Sequence, residues 1–304
     1  MVAPVGRMAR WGRDRGLAFR MFIVMALLSL VYLAFMAVLV YVGFDWIPIL
    51  VIAGILAVVQ YYGSSWLALR SMGAHEVSAE QAPELHAIIE RLSQVANIPK
   101  PRVAISNTDV PNAFATGRNP KNAVVAVTTG LMQRLDTPEI EAVLAHELSH
   151  VRNRDVMVMT LANFFAVVAQ LLTRSFMWGG FGGYGRRDRD NGGSIALVYL
   201  ASILVWVISF FLIRAISRYR EYAADRGSAI LTGAPTNLMS ALVKISGVMQ
   251  RIPERDLREV QTMNAFFIIP ALKGDAMSEL FSTHPSLENR LARLRTLSRE
   301  MEGL

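Results

Sequence analysis

Residues 21–44 contain no charged side chain between Arg20 and Asp45. Such a run is longer than the ~20 apolar residues needed to cross a bilayer. Backbone polar groups in hydrocarbon must bond within their own segment, so the stretch is expected to be a helix. A second run, WIPILVIAGILAVVQYYGSSWLALR, follows from Trp46 to Arg70, and only Gly43, Phe44 and Asp45 separate the two. The spacing predicts a transmembrane hairpin over 20–70. Two shorter runs come later, VMVMTLANFFAVVAQLLT before Arg174 and SIALVYLASILVWVISFFLI before Arg214. They are expected to span as well, the alternative being a tilted, partly buried hairpin. With 53% hydrophobic and 18% charged residues, the remaining sequence suffices for one water-exposed domain.

Charge sets the expected orientation. Arg7, Arg10, Arg13, Arg15 and Arg20 precede the first span, and the exit turn has no Lys or Arg. The positive-inside rule puts the basic tail (1–19) in the cytoplasm. Four spans return the chain to that side. Segments 71–155 and 214–304 are then both cytoplasmic and can build one domain, with a second hydrophobic hairpin over 156–213 between them. Its Gly-rich loop, 179–193, carries Arg186, Arg187 and Arg189 on the opposite side, partly offset by Asp188 and Asp190. The net charge of +7 could signal nucleic acid. Because the arginines crowd beside apolar runs, anionic headgroups are the expected partner and nucleic acid is not. A cleaved signal peptide is not expected, since the first run is too long and a second span follows directly.

The soluble segments read as α+β. Leu85, Ile88, Ile89, Leu92 and Val95 recur at helical spacing behind Pro83. PRVAIS (101–106) and AVVAVTTG (123–130) read as short strands around a turn-rich stretch, 109–122. Thr137-Pro138 resembles an N-cap with proline at the first helical position. SLENRLARLRTL closes the chain with Leu287, Leu291 and Leu294 on one face. There is no internal repeat and no cysteine, so a bound metal must be held by His, Asp or Glu.

The chemistry concentrates in VLAHELSHVRNRD, residues 143–155. His146 and His150 lie four apart, one turn above each other on a helix, and can offer two nitrogens to one zinc ion. Glu147 points beside that ion rather than at it, placed as general base for an attacking water. Ile140, Val143 and Leu144 bury the other side of the helix, which argues against a chance match on a solvated turn. A catalytic zinc needs a third protein ligand. In SRYREYAADRGSA (217–229), Glu221 and Asp225 are again four apart. Glu221 could be that ligand and Asp225 could orient a ligand histidine; a solvated helix of mixed charge fits the same spacing. His75 and His86 fit no constellation and read as surface residues. FFIIP (266–270) reads as core or membrane-facing surface.

HELSH followed by a hydrophobic hairpin and then SRYREYAADRGSA resembles the HtpX family of membrane zinc metallopeptidases, bacterial relatives of the CaaX-processing membrane peptidases. The likeness extends to NAFATG (112–117) and STHPSLENRL (282–291). It implies a mainly α membrane protein with a cytoplasmic α+β zincin-like, gluzincin-type domain and a small sheet. It implies one Zn2+ held by His146, His150 and Glu221, with Glu147 as base and Asp225 behind the ligands. His284 matches a family histidine near the active site and could donate to an oxyanion, or simply start a helix. Asn112, Ala113, Phe114 and Ala115 match an edge strand for extended substrate, or form a turn anchored by Phe114. The implied activity is that of a metalloendopeptidase of the cytoplasmic membrane acting on misfolded or damaged membrane proteins. The alternatives are a site-specific CaaX-type processing peptidase and a non-catalytic scaffold braced by zinc. The third ligand follows directly on the second hairpin, so closing that hairpin would bring Glu221 to the histidines beside the bilayer.

Overall fold

A computed structural model describes residues 14–43, 47–177, 192–249, 251, 268 and 283–303. The tail before Asp14, the charged part of the Gly-rich loop and all of FFIIP but Ile268 lie outside the described residues.

Helix α1 (Arg15–Tyr41) begins where Asp14 Oδ1 accepts from the Leu17 amide at 2.9 Å. It ends at a turn where Gly43 takes φ +66°, a conformation glycine adopts without a Cβ clash. Helix α2 (Ile47–Ser71) contains Gly63-Ser64-Ser65, and its axis bends by 60° between Leu50–Gly63 and Ser65–Ser71. Gly/Ser pairs are a recognised cause of kinks. The second apolar run is therefore a broken segment rather than one straight span. Among the described residues, three helices are long and apolar enough to cross a membrane, and the bent pair makes a fourth candidate. Outward-facing Phe22, Leu33, Val59, Trp66, Leu161 and Leu200 are each at least 60% exposed, as expected of a lipid-facing surface.

The sheet runs in the order β1 (Ala74–Glu76), β2 (Arg102–Ser106), β4 (Val124–Thr128), β3 (Ala113–Thr116). Only β2 and β4 are parallel. Every residue of β4 is buried, whereas β3 is an edge. Helix α3 (Pro83–Ala96) starts at Pro83 as its spacing predicts, burying Leu85, Ile89 and Leu92, although Val95 is exposed. His86 is not idle, since its Nε2 lies 3.0 Å from Val77 O. A short α4 (Thr129–Met132) leads to α5 (Thr137–Arg152). The cap of α5 is Asp136, one residue earlier than the Thr-Pro pattern predicts. Asp136 and Glu139 form a reciprocal capping box, because a carboxylate at that place satisfies orphan amides of the first turn.

Helix α6 (Asp155–Met177) follows after one turn. Helix α7 (Gly192–Thr232) joins the fourth apolar run to the segment bearing Glu221 and Asp225 without a break. Its 41 residues are about 60 Å long. Helix α1 packs mainly on α7, α2 on α6, and α6 on α7. Helix α8 (Pro235–Met249) covers α5, and α9 (Leu287–Glu302) lies against α7 and α8. One apolar core joins α3, the sheet, α5, α8 and α9, and another fills the space among the long helices.

Candidate metal centre

Helices α5 and α7 meet through small side chains. A Cβ on Gly227 would lie 2.2 Å from Ser149 Oγ, so only glycine permits this approach. Beside it, Ser228 Oγ donates to Ala142 O at 2.6 Å. The crossing brings Glu221 over the histidine face of α5. His146 Nε2 and His150 Nε2 are 3.2 Å apart. Glu221 Oε2 lies 3.5 Å from His146 Nε2, and Glu221 Oε1 lies 3.4 Å from His150 Nε2.

Each histidine is held from behind by an aspartate. His150 Nδ1 sits 2.6 Å from Asp155 Oδ2, and His146 Nδ1 sits 3.0 Å from Asp225 Oδ1. The Nδ1 side of each ring thus faces a carboxylate, in a hydrogen bond at His150 and in a close ionic approach at His146, which leaves the two Nε2 atoms facing each other. Such a contact is favourable when the two rings share a cation, either a metal ion or a proton carried on one Nε2. Ligands about 2.1 Å from a tetrahedral zinc are about 3.4 Å from one another, which these three residues match. Glu221 Oε2 is buried and makes no hydrogen bond within the protein. The donor set therefore fits a metal ion. With the protein's own groups alone, burial pulls the His146 imidazole down, but Asp225 and Glu221 outweigh it and raise its pKa to about 9.

Glu147 is 5% exposed, and its Oε2 accepts from the Ala115 amide at 2.8 Å. Burial raises its pKa above the usual carboxylate range, against the pull of His146 and His150. His284 is buried with Nδ1 3.4 Å from Glu221 Oε2. Ala113, Phe114 and Ala115 border the same cleft, whose volume is about 90 Å³. Asn112 stands just before β3, fully buried, its Oδ1 accepting from Ile268 N at 3.1 Å.

Sequence reasoning missed two residues. Arg290, 2% exposed, donates from Nε and Nη2 to both oxygens of Asp225, at 2.9 and 2.6 Å, and from Nη1 to Ile268 O at 2.7 Å. The buried face of α9 is Arg290, Leu294 and Leu297, with Leu287 and Leu291 at its margin; that helical spacing, read without excluding an arginine, would have marked it. Asp155 is the other. It stands at the first position of α6, just after Arg154, which takes φ +57° in the turn between α5 and α6. Arg220 Nε braces Asp155 Oδ2 at 3.0 Å.

Comparison with known proteins shows the family. The model of Peptidase family M48 matches residues 79–298. A "Protease HtpX homolog" of Moorella thermoacetica is 63% identical over 292 residues, covering 96% of this chain and 97% of its own length.

The chain belongs to the HtpX branch of peptidase family M48.

A second relative, "Protease HtpX homolog 2" of Methanosarcina acetivorans, is 56% identical over 293 residues, covering 96% of this chain and 99% of its own. The fold is shared with the crystal structure of S. mikatae Ste24p, with a TM-score of 0.55 at 18% identity, covering 91% of this chain and 67% of that one. M48 membership and the long apolar helices support a membrane metalloprotease of multi-pass architecture acting on peptide substrates.

Proposed function

We propose that the chain is a zinc-dependent endopeptidase of the cytoplasmic membrane, with its catalytic domain in the cytoplasm, that degrades misfolded or damaged membrane proteins. The observation that carries this reading is the pair of Nε2 atoms facing each other beside Glu221, with a buried carboxylate, Glu147, next to them. His146, His150 and Glu221 hold the ion, and Asp225 and Asp155 fix the two ring tautomers. Zinc, when bound, acidifies a water and polarises a carbonyl.

Glu147 takes the proton of the attacking water and returns it to the leaving amine. Burial raises its pKa, which strengthens the carboxylate as a base toward that water. The Ala115 amide holds Glu147 in place at the cleft edge. His284, lining the same cleft, donates to the oxyanion. Edge strand β3 accepts an extended substrate through backbone bonds, which demand little of its sequence.

The test pairs wild type with Glu147→Gln in detergent. The variant should keep a full complement of zinc and lose cleavage of casein. Equal cleavage by both proteins would remove the peptidase assignment. Intact casein with one defined peptide cut at a single bond would indicate a processing enzyme. Glu221→Ala should release the ion, and full zinc occupancy there would overturn the ligand set.

A further inference from the structure

Behind the metal centre lies a second cavity, of about 590 Å³, open on one side and bordered by the first turns of α1, the α5–α6 turn and α7. Four arginines line it, namely Arg152, Arg154, Arg220 and Arg226, against Asp14 and Asp155. Both aspartates are already engaged. Asp14 caps α1, and Asp155 is held between His150 and Arg220. Four guanidinium groups against two carboxylates leave the lining with an excess of positive charge. Its remaining wall is apolar, with Leu17 and Met21 from α1, Val158 from α6 and Ile230 from α7.

Two of the long apolar helices begin at this cavity, α1 at Arg15 and α6 at Asp155. It thus sits where polar chain gives way to hydrocarbon-compatible helix. Cationic side chains on one wall and apolar ones on the other, at that depth, complement a phosphate joined to acyl chains. We propose that this cavity is a binding site for the headgroup phosphate of an anionic phospholipid. Free phosphate shares the charge but has nothing to place against Leu17, Met21 and Val158. The site does not depend on the peptidase reading. Arg154 and Arg220 also line the cleft, so Arg152 and Arg226 are the residues to change.

The full-length, zinc-loaded Glu147→Gln protein is purified in detergent, stripped of lipid and titrated with phosphatidylglycerol, phosphatidylcholine or inorganic phosphate. Bound lipid is counted by native mass spectrometry. Phosphatidylglycerol should bind in preference to phosphatidylcholine, and 100 mM phosphate should displace little of it. Arg152→Gln with Arg226→Gln should weaken phosphatidylglycerol binding roughly thirtyfold, two arginines' worth of attraction to an anionic lipid. The Lys/Lys pair should restore most of it. Ala18→Phe, which fills the apolar side from α1, gives an independent loss should the Gln pair misfold. Equal binding of the two lipids, unchanged binding in the Gln pair and in Ala18→Phe, or full displacement by inorganic phosphate would overturn the proposal.

Discussion

Replacing Arg290 with methionine keeps much of the side-chain volume and removes the charge that neutralises Asp225. The guanidinium is 2% exposed, makes two bonds to Asp225 and one to Ile268 O, and lies 3.8 Å from Glu221 Oε2. Removing one partner of a buried pair costs about 3–5 kcal/mol. An unpaired buried carbonyl adds about 1 kcal/mol. The total of about 5 kcal/mol compares with a typical domain stability of about 5–15 kcal/mol. At about 2–4 °C per kcal/mol, Tm should fall by roughly 10–20 °C. A divalent cation beside Glu221 and Asp225 replaces part of the lost positive charge, so zinc should shrink the deficit. Arg290→Lys should recover only part of it, because one ammonium cannot reproduce the fork on both oxygens. Thermal unfolding in detergent, with chelator and with zinc, in the Glu147→Gln background, reads the effect. A methionine variant melting within about 3 °C of its parent in both conditions, under 2 kcal/mol by the same conversion, would refute the reasoning.

Asp155→Asn should weaken zinc binding about 10–100-fold, because His150 loses the carboxylate that fixes its tautomer; competition against a chelator measures this, and an unchanged constant contradicts it. In Glu139, burial pushes the pKa up, but hydrogen bonds from Lys244 and Ser240 outweigh it and hold the group below the usual carboxylate value. Its stabilisation is therefore present above the ordinary carboxylate pKa and lost as pH falls through the lower folded value. Glu139→Gln should cost about 1 kcal/mol at neutral pH. Unfolding curves at several pH values should show that gap closing in acid, and a constant gap would count against the assignment. Ala115→Pro removes an amide that points at Glu147 rather than into the β3–β4 ladder. Tm and zinc content should hold while casein cleavage falls on the order of a hundredfold; normal cleavage would exclude a role for the Ala115 amide in holding Glu147 for catalysis.

What the sequence determined by itself were the features fixed by neighbours along the chain. Charge-free runs dictate long apolar helices. An i, i+4 spacing puts His146 and His150 on one face wherever the helix sits, and Pro83 opens α3 as read. The local reading already erred by one residue at Asp136, because the capping box depends on a side-chain bond back from Glu139. Beyond that range, residue type misleads. Leu287, Leu291 and Leu294 are the natural choice for the inner face of α9, since a buried arginine is prohibitively costly alone. Arg290 is allowed inside because Asp225, 65 residues earlier in the chain, is waiting for it. The same holds for Glu221, which as sequence alone is also a residue of a mixed-charge helix. Only the close crossing at Gly227 and Ser149 carries it to within 3.5 Å of both imidazoles. Tertiary structure decided these places because the cost of burying a charge is set by its partners in space, and no local pattern records who those partners are.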